Sequence, residues 1–422
     1  MRLLFFTFLL PLLALAEEEY ELPPILYSQT QPHDAVQDLV RKMQAGKVSL
    51  NRTDPWALLH DLMQQFHVPP ESQVLVFSKT SKQNDRISPQ TPRAIFYGDE
   101  AYLGYTLGGA IEVATVDPKL GPVFYLLEPH AAPNQPLRFE RDQSCLSCHG
   151  GSFTPGAPGV LVRSVFPGAS GHPIFSQGST IVDSSTPFSD RWGGWYVTGT
   201  HGSALHRGNV IATENADNTC DMPMEQGANI LSLTSFFDTS PYPKPQSDIV
   251  ALMVLEHQTS VQNALTKANQ TALRALHMQT SLQKELGEPI QNQPTGTALR
   301  IIEHCTEDVL DGLLFKDEAP LPEGGIEGDV SFQNAFGQSA HRSADGRSLK
   351  DFQLLTRLFK YRCSYMIHSR TFTQMQPALK KTVLTRLDQI LTGQDRSGRY
   401  DYLGESERKH IRRILDETLW KE

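Results

Sequence analysis

The chain has 422 residues, and 38 Lys and Arg against 47 Asp and Glu give a formal net charge of −9. With no long Lys/Arg run to neutralise phosphates, a general nucleic-acid binder is excluded. Hydrophobic residues at 39% and charged residues at 20% are ordinary globular usage, which excludes a largely disordered chain. The length predicts two or three domains.

Residues Met1 to Ala16 carry one positive charge, an apolar run and a small-x-small ending at Ala14-Leu15-Ala16. They read as a secretory signal peptide cut after Ala16. The run is shorter than the ~20 residues a membrane span needs, and Glu17 to Glu19 follow at once. The expectation is a protein exported to the periplasm or beyond, without stable membrane insertion.

A helical lead, 17–70, comes next. One helix is expected from His33 to Ala45, ending at Gly46, and a second begins at Asp54-Pro55, a cap followed by proline at the first helical position. A β-rich domain is expected over 71–245, with strands at Gln73–Lys79, Arg93–Tyr97, Ala110–Val116 and Pro122–Leu126, and a strand pair at Val160–Phe166 and Pro173–Ser176. From 246 to 422 the period turns helical. Helices are expected over Asp248–Lys267, Ala298–Leu314, Leu349–Ser369, Pro377–Leu391 and Glu405–Leu419, with Lys316–Arg347 as loop. The fold class is therefore α+β, a β-rich domain followed by a mainly helical one.

Two of the five cysteines fall in Cys145-Leu146-Ser147-Cys148-His149, the C-x-x-C-H pattern of covalent haem attachment. Each thiol adds to one haem vinyl group, and the adjacent imidazole becomes the proximal iron ligand. A thioredoxin-type dithiol and a zinc site compete for a bare C-x-x-C. The loop-like Gly150 to Gly156 after the motif speaks against the first, and the lack of a second C-x-x-C or paired-histidine motif against the second. Cys220, Cys305 and Cys363 are left over. A Cys305–Cys363 disulfide is one reading, and two small buried apolar residues the other.

The motif resembles that of c-type cytochromes. Taken with Arg93 to Tyr97, Phe124-Tyr125, Arg191-Trp192-Gly193-Gly194-Trp195-Tyr196 through Gly202, and Tyr361 to Ile367, the chain resembles a family of exported bacterial mono-haem proteins. The resemblance implies one covalent haem c and its iron, and no particular reaction. A second similarity, to PAS-like periplasmic sensor domains, covers about 73–201 and rests on the order of elements.

Three residues are candidates for the sixth iron ligand: Met222 in a Met-Pro-Met loop, His257 on the apolar face of its helix, and His201 between Thr200 and Gly202. Each has a plain structural alternative, as gap-filler, buried neutral histidine or turn residue respectively. Trp192 and Trp195 either pack on the porphyrin or plug a core. Three functions stay open. The first is an electron carrier with a redox partner protein, steered by the acidic surface. The second is a peroxidase-like haem oxidoreductase with an open iron position and Arg191, His201 or Arg207 as distal groups. The third is a haem sensor module.

Overall fold

The computed structural model describes residues 18–129 and 136–420, and the expected signal peptide lies outside them. In chain order the elements that position the site are α1 (Ala35–Gln44), α2 (Pro55–Gln65), β1 (Val74–Val76), β2 (Arg93–Tyr97), β3 (Ala101–Tyr105), β4 (Ile111–Asp117), β5 (Gly121–Leu127), β6 (Glu140–Arg141), the single turn α3 (Leu146–His149), β7 (Arg163–Val165), β8 (Ser179–Ile181) and β9 (Trp195–Tyr196). A short pair β10 (Thr213–Glu214) and β11 (Cys220–Asp221) follows. The helices α4 (Ile249–Glu285), α5 (Gly296–Leu313), α6 (Val330–Gln338), α7 (Arg370–Thr373), α8 (Pro377–Leu391) and α9 (Glu405–Thr418) complete the chain. The class is α+β.

Seven strands form one antiparallel sheet in the order β6-β5-β4-β3-β2-β1-β9, a meander of chain neighbours closed at one edge by β9. Because side chains alternate across a strand, the register fixes two faces. On one, Thr115 Oγ1 and Tyr125 Oη donate to Asp34 Oδ2 at 2.9 and 2.7 Å, while Asp34 caps α1 through Gln37 N. Trp56 of α2 packs edge-on against Tyr105 on the same face, 4.9 Å between ring centres.

The other face carries the row Ile95, Gly104, Glu112, Leu126 and the row Tyr97, Tyr102, Ala114, Phe124. The 37-residue α4 crosses it. Tyr97 Oη donates to Ala251 O at 2.6 Å, and Gln258 Nε2 to Gly98 O at 2.8 Å. Further along, Asn269 Nδ2 donates to Pro118 O at 2.7 Å. On its far side α4 packs against α5, which packs against α8 in turn. A single hydrophobic cluster runs from Tyr20 through the sheet and α4 to Leu415, continuous across the expected boundary at 245/246.

Four expected elements need correction, and one expected pairing. Leu349–Ser369 has helical apolar spacing but is an irregular segment ending in a 3-10 turn, Tyr365–His368. Leu354 sits at φ 56°, and Gln353 Oε1 accepts the backbone N–H groups of Leu355, Thr356 and Arg357. That side chain supplies the acceptor a helix would need from its own backbone. Within 316–347 lies α6, capped by Asp329 through Ser331 N, with Phe332 and Phe336 buried four apart. The partner of Arg163–Val165 is Ser179–Ile181 rather than Pro173–Ser176, because Pro173 has no N–H to give a ladder and Phe175–Gln177 forms a 3-10 turn. Finally, α4 runs on to Glu285, since no Gly or Pro interrupts it before Gly287, which sits at φ 67°. Cys305 and Cys363 are both buried free thiols, so the disulfide reading falls and the apolar one stands.

Candidate functional site

Asp142 accepts the backbone N–H of Ser144 at 2.9 Å and sets a 3-10 turn, Gln143–Cys145, that leads into α3. Gly150 ends the turn. In a helical turn, residues i, i+3 and i+4 share a face, and Cys145, Cys148 and His149 stand in that relation. All three line one cavity of about 460 Å³ between α3, the sheet and α4, within the roughly 300–1,000 Å³ of small-molecule and cofactor sites. Leu146, on the other side of the turn, is buried and anchors it. A larger groove of about 890 Å³ over Pro118, Asn269 and Lys380 has no cysteine or histidine among the described residues of its wall.

His149 is oriented from behind. Its Nδ1 lies 2.9 Å from Gly159 O, and because a carbonyl only accepts, Nδ1 carries the proton and Nε2 keeps its lone pair for a metal. Burial lowers the pKa of the imidazole, which favours this neutral form. Its ring lies 4.7 Å from that of Phe124. The Gly159–Val160 segment is clamped by Asn263 of α4, which accepts from Val160 N at 3.0 Å and donates to Val160 O at 2.7 Å. A β-carbon at Gly159 would fall 2.5 Å from Asn263 Oδ1, so the clamp requires glycine.

Burial pushes the Cys145 thiol up to about 11, and the carboxylates of Asp142 and Glu112 add to the effect. Dithiol oxidoreductases need the opposite shift. Among the described residues no group of three or more His, Cys, Asp or Glu side chains is placed to hold a metal ion, so a zinc site has no ligand set there. Cys145, Cys148 and His149 share the lining of this one cavity, two thiols and one imidazole nitrogen in the C-x-x-C-H order.

The sheet wall of the cavity is polar at three points. Arg93 pairs with Glu112, which also accepts from Ser81 Oγ and Gln83 Nε2, each at 2.9 Å. The guanidinium lies across Gly104, where a β-carbon would fall 2.6 Å from Arg93 Nη2. Tyr102 Oη accepts from Gln258 Nε2 at 2.9 Å. Leu255 and Thr259 of α4 and Trp195 of β9 contribute to the remaining wall.

None of the three expected sixth ligands reaches this cavity. His257 lies two residues beyond Leu255, about 200° around the helix. It stacks on Phe315 at 4.1 Å, with its Nε2 2.7 Å from Ser364 Oγ. His201 accepts from Asn229 N at 3.0 Å and packs with Phe188 and His206. Met222 is half-buried between β11 and a 3-10 turn, away from the cavity wall.

The expected distal groups are engaged elsewhere too. Arg191 pairs with buried Glu256 at 2.6 Å, and Arg207 pairs with Asp190 and lies over Phe166. Trp192 donates to Glu256 and plugs the core, whereas Trp195 does line the cavity. Tyr102, Glu112 and Thr259 were not legible as site residues. The available signal was polar side chains at inward positions of β3 and β4, beside a glycine that leaves the space above the sheet empty.

Comparison with protein-family models, curated proteins and solved structures finds no match to this chain.

Proposed function

We propose that this chain is an exported mono-haem c protein, with Cys145 and Cys148 carrying the thioether bonds and His149 as proximal ligand, in which the iron keeps a position open to small molecules. The bound haem supplies ferric/ferrous cycling and that coordination position. Gly159 O holds the proximal imidazole in its ligating tautomer, Asn263 fixes Gly159, and Leu255, Phe124 and Trp195 keep the pocket apolar around the polar wall. The observation that carries the reading is the cavity's lining: apart from His149, no histidine and no methionine among the described residues belongs to it. Two strong protein ligands favour electron transfer, and an open position favours ligand chemistry. A haem-dependent oxidoreductase thus fits better than a pure electron carrier.

Electron transfer to a redox partner is the second reading. It is favoured by the exposure of Cys148, which places the attachment point at the surface. Visible spectra of the matured protein separate the two. Ferrous protein whose Soret band shifts under carbon monoxide supports the open position. A low-spin six-coordinate spectrum indifferent to the gas refutes it and returns the protein to the electron carriers.

A further inference from the structure

The cavity wall holds hydrogen-bond donors with no matching acceptor among the described residues. Gln258, buried in α4, settles the most telling of them. Its amide nitrogen donates to Gly98 O at 2.8 Å, and its amide oxygen accepts from Tyr365 Oη at 2.7 Å. Since Gly98 O only accepts, the amide has one orientation, and the second N–H of Nε2 is the one that meets Tyr102 Oη at 2.9 Å. Tyr102 is therefore an acceptor in this pair, and its own O–H has no acceptor among the described residues. The side chain is buried at 8% exposure and lines the cavity. A buried donor left unmet costs roughly 1–3 kcal/mol, so the hydroxyl is set to meet something that enters.

Arg93 offers a second case. Its Nη2 is taken by Glu112, but its Nε is buried and has no partner among the described residues. Glu112 already accepts from Ser81, Gln83 and Arg93 Nη2, and the Tyr102 oxygen from Gln258. Tyr102 and Gly104 stand two apart on one face of β3, and Arg93 crosses Gly104, so both spare donors project from the same part of the sheet.

We infer that Tyr102 is the ligand-recognising donor of this cavity and that the ligand class is a small oxygen-bearing molecule, above all an oxyanion, whose oxygen accepts the Tyr102 O–H. The assignment rests on the open position proposed above. Burial raises the pKa of Tyr102, which keeps the phenol protonated and able to donate at any physiological pH. Gln258 acts behind it as a positioning residue.

The test uses the full-length matured protein, with nitrite as probe for the ferric form and carbon monoxide for the ferrous form, each titrated by visible absorption. One hydrogen bond to a charged acceptor corresponds to roughly a tenfold to hundredfold change in affinity. In Y102F the dissociation constant for nitrite should rise about tenfold or more, with carbon monoxide affinity held within about threefold, because carbon monoxide is a poor acceptor. Y97F is the control, since Tyr97 gives its proton to Ala251 O rather than to the cavity, and it should leave both affinities unchanged. Wild type that binds both probes, with Y102F binding nitrite equally well, overturns the assignment alone. Wild type that binds neither probe overturns the open position itself and the assignment with it.

Discussion

Replacing Glu256 tests the joint between the two halves of the molecule. Glu256 is fully buried in α4. One carboxylate oxygen meets Arg191 Nη1 at 2.6 Å and the other accepts from Trp192 Nε1, while Arg191 Nε donates to Thr186 O at 2.9 Å. The side chains of Arg191 and Glu256 are 3% and 1% exposed. Glu256→Ala therefore strands a buried guanidinium and an indole N–H, and removing one partner of a buried pair costs roughly 3–5 kcal/mol. Arg191→Met should cost a similar amount by stranding the carboxylate. The double variant R191M/E256L removes both charges and fills the space, so it should lose far less than the sum, a coupling of roughly 2–3 kcal/mol or more. Urea unfolding followed by tryptophan fluorescence, with Trp192 itself as reporter, measures all three. Additive single losses, or an E256A loss below about 1 kcal/mol, would refute the claim that this pair ties the Trp192–Trp195 segment, and with it a cavity wall, to α4.

Three further outcomes are expected. Asn263→Ala frees Gly159–Val160, weakens the Nδ1–H bond of His149 and makes the imidazole a poorer donor, so the midpoint potential should rise by on the order of tens of millivolts in a spectroelectrochemical titration. Burial pushes Glu100 up to about 7, and Oε2 has no partner among the described residues. An acid with a raised folded pKa stabilises the fold when protonated and loses that contribution as pH climbs from about 4.5 to about 7, so Glu100→Gln should gain roughly 3 kcal/mol over wild type at pH 8 and little at pH 4, read from unfolding curves. Met222→Ala, His201→Ala and His257→Ala should each leave the visible spectrum unchanged, whereas His257→Ala should cost roughly 1–3 kcal/mol through its lost packing on Phe315 and hydrogen bond to Ser364. A spectrum altered in any one of them would restore that residue as a ligand.

The local rules worked where one residue type has one physical meaning. Asp54-Pro55 opened α2 and Pro377 opened α8. Arg93–Tyr97 was placed to the residue. They failed where a side chain replaced the backbone as partner, as Gln353 does, or where a pair too short to show alternation was fixed only by its neighbours, as β9 is by β1. The C-x-x-C-H motif singled out Cys145, Cys148 and His149 from the sequence, and the turn at α3 brings all three onto one cavity. Its walls were not, because Tyr102, Glu112 and Leu255 come together only through strand register and the crossing of α4. His257 misled for the same reason. An apolar helix face says that a histidine is buried, and not which cavity it faces.

The central claim is that Cys145 and Cys148 hold one haem through thioether bonds. Intact-mass spectrometry of denatured protein, produced in a host with c-type maturation, reads this directly, with a peroxidase-stained gel of the same sample. The account predicts one haem mass per chain in wild type, retained after acid-acetone extraction, and none in C145A/C148A. Wild-type protein at the mass of the bare polypeptide, colourless and unstained, would contradict it.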